Sequence, residues 1–439
     1  MGECEYTSPW EEGFYKTETK IWWMNLNCEI DWAEKEIYLL GKNQYENKII
    51  QYQDQLCLLL AAPDDIVILR NSPSKLFLMN LMKYGISLPE IWILPQSDLN
   101  QSISQCILNN SDILLNMKKR NRQKQCVLMP YGITSLEEKI SELTGIYLYG
   151  SGMESSKKVN SKVFARNLAS SLSLPVSPGS ICCDCQELST FLAKQNDDLS
   201  FPLVIKQSYG SSGKGLFVVK NKKELQTIFR ILRCHPNSFP VIVEKWHNHT
   251  ISINYQILIT RDGDKYYIPV KNQIMRDTVF RGCDGMIQNN RLSDNQKSCL
   301  KDIQRRIADT LYLQGHFGVF SIDALVLDDG DLIPILEING RFSLTTYITT
   351  LLHHQPPNKC VIFEYINFRP ISEECFLHRL ESVAYDKKKD EGVMLCSLNP
   401  GHENSYHGRA FLLYLANSDS GLSYLMQKVR IIYTDIILL

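Results

Sequence analysis

No apolar stretch in the 439 residues approaches the roughly 18 that a membrane span needs, which argues against a transmembrane protein. The opening Met1-Gly2-Glu3-Cys4-Glu5 carries acids where a secretory signal would carry a basic and then an apolar stretch. Neither sign of charge is in excess: 47 basic residues face 48 acidic ones, for a net charge of -1, which argues against a nucleic-acid binder. The 14 cysteines are too few for a disulfide scaffold and, without an export signal, are expected as reduced thiols in a cytoplasm. Cys182-Cys183-Asp184-Cys185 lacks the second ligand pair that a structural zinc requires. Missing too are a Walker A loop, a G-x-G-x-x-G fingerprint and a G-x-S-x-G elbow. What remains is a globular chain, 44% hydrophobic and 22% charged, with room for about three domains at roughly 150 residues each.

The first region, 1–150, predicts parallel sheet. Strand-like runs at 65–69 and 89–94 flank a helical pattern over 73–83, with apolar residues at Leu76, Phe77, Leu81 and Met82. Strand, helix and strand within about 30 residues form a βαβ unit. The second region, 151–355, predicts a helix over 161–172, strands at 202–206 and 215–219, a helix at 223–234 and a strand at 241–244. Strands at 252–260 and 266–270, a helix over 294–314 and a hairpin of 319–327 with 332–339 follow. The third region, 356–439, reads as a small α/β unit, with an exposed loop at Tyr385–Glu391.

Two patterns carry chemistry. In the first, a strand delivers Lys206 into Gln207-Ser208-Tyr209-Gly210-Ser211-Ser212-Gly213-Lys214-Gly215, and a second strand follows. Small residues let backbone N–H groups approach an anion, and an ammonium adds a point charge. The pattern is either a flap over phosphates or a hairpin with no ligand. In the second, Asp323 and Glu337-Ile338-Asn339 stand in otherwise apolar strands. Period-2 geometry puts Glu337 and Asn339 on one face. Asp323 lies directly opposite Glu337 only if the hairpin loop has an odd number of residues, such as 328–332. Three oxygen donors of this kind suit Mg²⁺. The alternative is a buried salt bridge, such as Glu337 with Arg341.

Taken in order, the strand lysine, the glycine flap, Val241-Ile242-Val243-Glu244-Lys245, Asp323 and Glu337-x-Asn339-x-Arg341 resemble the ATP-grasp carboxylate ligase superfamily. The resemblance implies an α/β fold: a Rossmann-like N-terminal domain, an α+β ATP-grasp clamp and a small C-terminal domain. It implies ATP and Mg²⁺ (or Mn²⁺) as cofactors. Lys162 and Lys206 then match the nucleotide-phosphate lysines, and Gly210, Ser211, Ser212, Gly213 and Gly215 the flap. Glu244 and Lys245 match the adenine hinge, and Asp323, Glu337 and Asn339 the metal ligands. Arg341 matches the arginine that stabilises the transferring phosphoryl group, with Lys206 beside it in catalysis. Arg276 and Arg281 are candidates for binding substrate carboxylates, or else arginines of an exposed loop.

Tyr149-Gly150-Ser151, Asn160-Ser161-Lys162, Arg166 and Gly408-Arg409 narrow the likeness. They resemble the group that includes the pheganomycin-type peptide ligase and the butirosin-pathway ligase that loads glutamate onto an acyl carrier protein. The short length and Trp22-Trp23-Met24-Asn25 favour the carrier-protein ligase. The resemblance thus implies ADP-forming activation of an amino-acid carboxylate, glutamate among the candidates. An acyl-carrier-protein thiol accepts the acyl group in antibiotic biosynthesis, with an amine acceptor as the alternative. A nucleotide-binding regulatory protein without chemistry is the reading from another class. A cytoplasmic enzyme, with a homodimer among the expected assemblies, completes the expectation.

Overall fold

The computed structural model describes residues 18–26, 28–32, 48–95, 100–194, 201–210, 215–247, 250–276, 278–284, 292–353, 355, 359–403 and 406–438. In the N-terminal region the apolar runs become β1 (Thr19–Trp23), β2 (Ile66–Leu69), β3 (Glu90–Ile93), β4 (Cys126–Pro130) and β5 (Tyr147–Leu148). All pair in parallel, in the order β3-β2-β1-β4-β5. This is the order of a doubly wound, Rossmann-like sheet. The expected βαβ unit is β2, the helix Lys75–Lys83 and β3. Ser74 starts that helix by accepting the Phe77 amide on its hydroxyl.

The next sheet is small and antiparallel: β6 (Gly179–Cys182), β7 (Leu203–Gln207), β8 (Leu216–Val219) and β9 (Val241–Lys245), in the order β6-β9-β7-β8. The helices Cys185–Lys194 and Lys222–Cys234 cover it through Leu188, Leu225 and Leu232. The third sheet holds β10 (Ile251–Ile259), β11 (Lys265–Arg276), β12 (Val279–Asp284), β13 (Gly318–Val326), β14 (Leu332–Asn339), β15 (Cys360–Phe368), β16 (Gly392–Asn399), β17 (Gly408–Ala416) and β18 (Ile437–Leu438). Its order is β14-β13-β10-β11-β12-β15-β17-β16, with β18 on β15. The helix Asp294–Leu313 packs Leu300, Ile303, Ile307 and Leu311 into the core on one face of this sheet.

Two features differ from the sequence reading. Arg276 and Arg281, for which an exposed loop was one of two readings, stand instead in paired strands, Arg276 at the end of β11 and Arg281 within β12. The strands beyond 356 do not build a sheet of their own. Gly282, Cys283 and Asp284 of β12 pair with Glu364, Phe363 and Ile362 of β15, so the C-terminal strands extend the clamp's sheet. Glycine allows this: a Cβ at Gly282 would stand 2.2 Å from the Phe363 carbonyl oxygen. The N-terminal region also reaches these strands, because Gln55 Oε1 accepts the Leu398 amide at 2.9 Å.

Candidate active site

The two antiparallel sheets and the N-terminal region enclose a cleft of about 1060 Å³. That is just above the roughly 300–1,000 Å³ of small-molecule sites. Its lining includes Lys162, Lys206, Gly210, Glu244, Lys245, Asp323, Glu337, Asn339, Arg341 and Arg281. These predicted residues, spread over 180 positions of sequence, face one space. Arg276 is exposed and is not among the lining residues.

At one end β7 presents Lys206, whose Nζ pairs with Glu244 Oε1 on β9. Arg166 Nη1 holds the other oxygen of Glu244 at 2.7 Å, and its Nη2 donates to the Ser177 carbonyl at 3.0 Å. The Lys245 side chain is exposed, and its amide donates to the Pro178 carbonyl at 2.8 Å. Gly210 and Gly215 bracket the loop between β7 and β8 with φ values of 129° and 72°, the region that favours glycine. A Cβ on Gly215 would stand 2.9 Å from Gln207 Oε1. Ser211, Ser212 and Gly213 lie outside the described residues.

Lys162 opens the helix Lys162–Ser171 and is buried rather than on a helix surface. Its Nζ donates to the Gly210 carbonyl at 2.7 Å and pairs with Glu337 Oε2 at 3.0 Å. One ammonium thus links the loop to the carboxylates of the third sheet.

The register of β13 and β14 places those carboxylates. Five residues separate Val326 from Leu332, an odd loop. Two extra residues on β14, between Ile333 and Glu337, then bring Glu337 opposite Asp323 and Asn339 opposite Ser321. Pro334, which has no N–H for the ladder, sits in that bulge, and its carbonyl accepts Tyr255 Oη at 2.7 Å. Asp323 Oδ1 accepts Asn254 Nδ2 at 2.7 Å and Gln273 Nε2 at 2.9 Å. Burial and the facing Glu337 push the Asp323 carboxyl well above the usual range. Burial acts the same way on Glu337, but Lys162 overrides it and holds that carboxyl down.

Among the described residues no three His, Cys, Asp or Glu side chains converge. The set is instead two opposed carboxylates with the Asn339 carboxamide, whose Nδ2 lies 3.4 Å from Glu337 Oε1. Hard oxygen donors with one or two carboxylates fit Mg²⁺ that shares its remaining positions with phosphate oxygens and water.

Arg341 does not pair with Glu337. Its Nη2 and Nε reach Glu29 Oε1, the latter at 3.0 Å, and its Nη1 donates to Tyr131 Oη at 2.6 Å. Burial opposes the guanidinium charge, but Tyr131 and Glu29 outweigh it and keep the group charged. The salt-bridge alternative therefore exists with other partners: Glu337 with Lys162, and Arg341 with Glu29.

Several residues of the cleft escaped the sequence reading. Asn254 and Gln273 orient Asp323, and Glu29 and Tyr131 hold Arg341. A signal for the first existed: Ser252, Asn254 and Gln256 alternate with apolar residues along β10, which marks a polar face. Nothing local signals Glu29, 312 residues from its partner.

Residues 168–349 match the model of the ATP-grasp domain family. With the two-sheet clamp around the cleft, the chain carries an ATP-grasp domain and has the ATP-grasp fold. It is 25% identical to the [butirosin acyl-carrier protein]–L-glutamate ligase of Niallia circulans over 80% of this chain and 78% of that protein. Its fold is similar to N5-carboxyaminoimidazole synthetase from Staphylococcus aureus complexed with ADP, at TM-score 0.55 and 13% identity, covering 96% of this chain and 99% of that one. Biotin carboxylase from Campylobacter jejuni matches at TM-score 0.54 and 14% identity, covering 96% and 91%. Among the described residues no helix is long and apolar enough to cross a membrane.

Proposed function

We propose that the protein is an ATP-dependent, ADP-forming ligase that activates an amino-acid carboxylate as an acyl phosphate and passes the acyl group to an acyl-carrier-protein thiol. The observation that carries this reading is the arrangement of charge in the cleft. Lys162 and Lys206 stand where phosphate oxygens would replace Glu337 and Glu244 as their partners, and Asp323 and Asn339 flank Glu337. Such replacement needs no new charge, because the ammonium groups are already in place. The likeness to the butirosin ligase supports the carrier protein as acceptor and glutamate as a candidate acid, in an antibiotic pathway.

In this reading Asp323, Glu337 and Asn339 hold Mg²⁺, which supplies neutralising charge to the phosphates. The Glu244–Lys245 segment meets adenine, and Gly210 to Gly215 cover the phosphates. The substrate carboxylate attacks the γ-phosphorus, ADP leaves, and the acceptor then displaces phosphate from the acyl phosphate. Lys162, Lys206 and Arg341 disperse charge on the transferring group, so catalysis is mostly positioning. Exclusion of water from the cleft protects the acyl phosphate from hydrolysis.

The test is nucleotide analysis with an amino-acid panel, joined to intact-mass spectrometry of a phosphopantetheinylated carrier protein. ADP release with a carrier mass gain equal to one aminoacyl group is the expected result. AMP as product overturns the reading. An amide in place of a thioester moves the acceptor to an amine.

A further inference from the structure

The cleft has a second charged end that the phosphate and metal chemistry does not use. Arg281 on β12, Tyr365 on β15 and Arg409 on β17 line the same space as Asp323 and Glu337. Their register puts them on one face of the sheet. Gly282 pairs with Glu364, so Arg281 falls beside Tyr365, and Asn367, two residues on, pairs with Arg409. The Arg409 guanidinium carbon lies 4.4 Å from the Tyr365 ring centroid and that of Arg281 lies 5.1 Å from it.

The two cations can be no further apart than those distances together allow. Cation–π attraction is worth about 0.5–2 kcal/mol per contact. An anion placed between two guanidinium groups lowers their mutual repulsion. Arg409 is oriented by Nε donation to Asn367 Oδ1 at 2.8 Å. Arg281 Nε is buried with no hydrogen-bond partner among the described residues. The Arg281 guanidinium, lying against the Tyr365 ring, keeps edge N–H groups for acceptors in its own plane, the geometry that suits a carboxylate.

Position separates this subsite from the phosphates. Three strand steps, β13 to β10 to β11 to β12, lie between Asp323 and Arg281. At about 4.8 Å per step the backbones stand roughly 14 Å apart. We infer that Arg281, Tyr365 and Arg409 form a carboxylate-binding subsite that selects an acid substrate with a second carboxylate, remote from the one that is activated. This assignment rests on the ligase reading for the carboxyl at the metal end and adds the class of acid.

The test uses the full chain with saturating ADP and Mg²⁺. Binding of L-glutamate and of L-glutamine is measured by calorimetry for wild type, Arg281→Gln, Arg409→Gln and Arg281→Lys, and ADP affinity is measured in parallel. Wild type is expected to prefer glutamate by about tenfold or more, and each Gln variant to lose about tenfold in glutamate affinity with ADP affinity unchanged. Arg281→Lys, which keeps the charge, should retain part of the preference. In turnover the loss should appear in KM for the acid more than in kcat. Equal binding of glutamate and glutamine by wild type overturns the inference, as does unchanged glutamate affinity in both Gln variants. So does a loss confined to the KM of the carrier protein. Selective glutamate binding without ADP formation supports the subsite while removing the ligase reading. Turnover of neutral amino acids with no response to glutamate removes the subsite alone.

Discussion

Glu137 in the N-terminal parallel unit is buried and Glu337 in the clamp is half-buried at the cleft, and their environments pull in opposite directions. Glu137 faces hydroxyl and amide donors: Thr134 donates to it from its backbone N at 2.7 Å and from Oγ1 at 2.6 Å, closing a capping box. Burial pushes its carboxyl up to about 7. Glu337 faces the Lys162 ammonium, which holds it down. In the parallel unit a buried acid is thus held by neutral donors alone, with no cation among its named partners. In the clamp the acids Glu337 and Glu244 are balanced against cations that a phosphate group would also satisfy. The difference shows where the fold keeps charge in reserve.

The largest effect expected from breaking the clamp side is on chemistry. Lys206→Ala should lower ADP formation by roughly a thousandfold or more. The fold should survive, because Arg166 still pairs with Glu244. Steady-state ADP release with circular dichroism checks both halves, and retained turnover would break the comparison.

The parallel unit predicts a pH effect of stated sign. The folded carboxyl of Glu137 titrates near 7, above its ordinary 4.5, so the fold favours the protonated form. That stabilisation is present in full below about pH 4.5 and is lost as pH rises through about 7, a change of roughly 3 kcal/mol. Glu137→Gln should remove this share of the pH slope, read as the difference between the two proteins' unfolding free energies from pH 4.5 to 8.

Glu29→Gln weakens the tie that crosses from the parallel unit to Arg341. A loss of about 2 kcal/mol in stability is expected, since the bond is to a charged group. A fall of about tenfold in kcat should accompany it if Glu29 positions Arg341 for the phosphoryl group. Chemical denaturation and kinetics together separate positioning from a purely structural tie. The smallest effect is at Asn221, which caps the helix Lys222–Cys234 by accepting the Glu224 amide at 3.0 Å. Asn221→Ala should cost about 1 kcal/mol and leave ADP affinity unchanged.

Much of the architecture was legible in the chain because it depends on local pattern. The apolar runs of β2 and β3 around one amphipathic helix specify a βαβ unit. Lys206 before a glycine loop, and Glu337-x-Asn339 on one face of a hairpin, carry their geometry within a few residues. The parity of that hairpin loop stayed open in the sequence, and the bulge at Pro334 that restores the Asp323–Glu337 pairing was not legible. The β11–β12 pairing was not read because Arg276, exposed, and Arg281, facing the cleft, interrupt the apolar alternation, and polar side chains in a strand look like a loop.

The sequence by itself determined which residues carry charge into the clamp, because strand periodicity and turn chemistry are properties of neighbours along the chain. Only the tertiary structure decided which charges meet. Lys162 with Glu337, Arg341 with Glu29, and Arg281 and Arg409 on Tyr365 are pairs of distant residues. Their partners are chosen by how three sheets pack and by which strand edges join, and no local period records that choice.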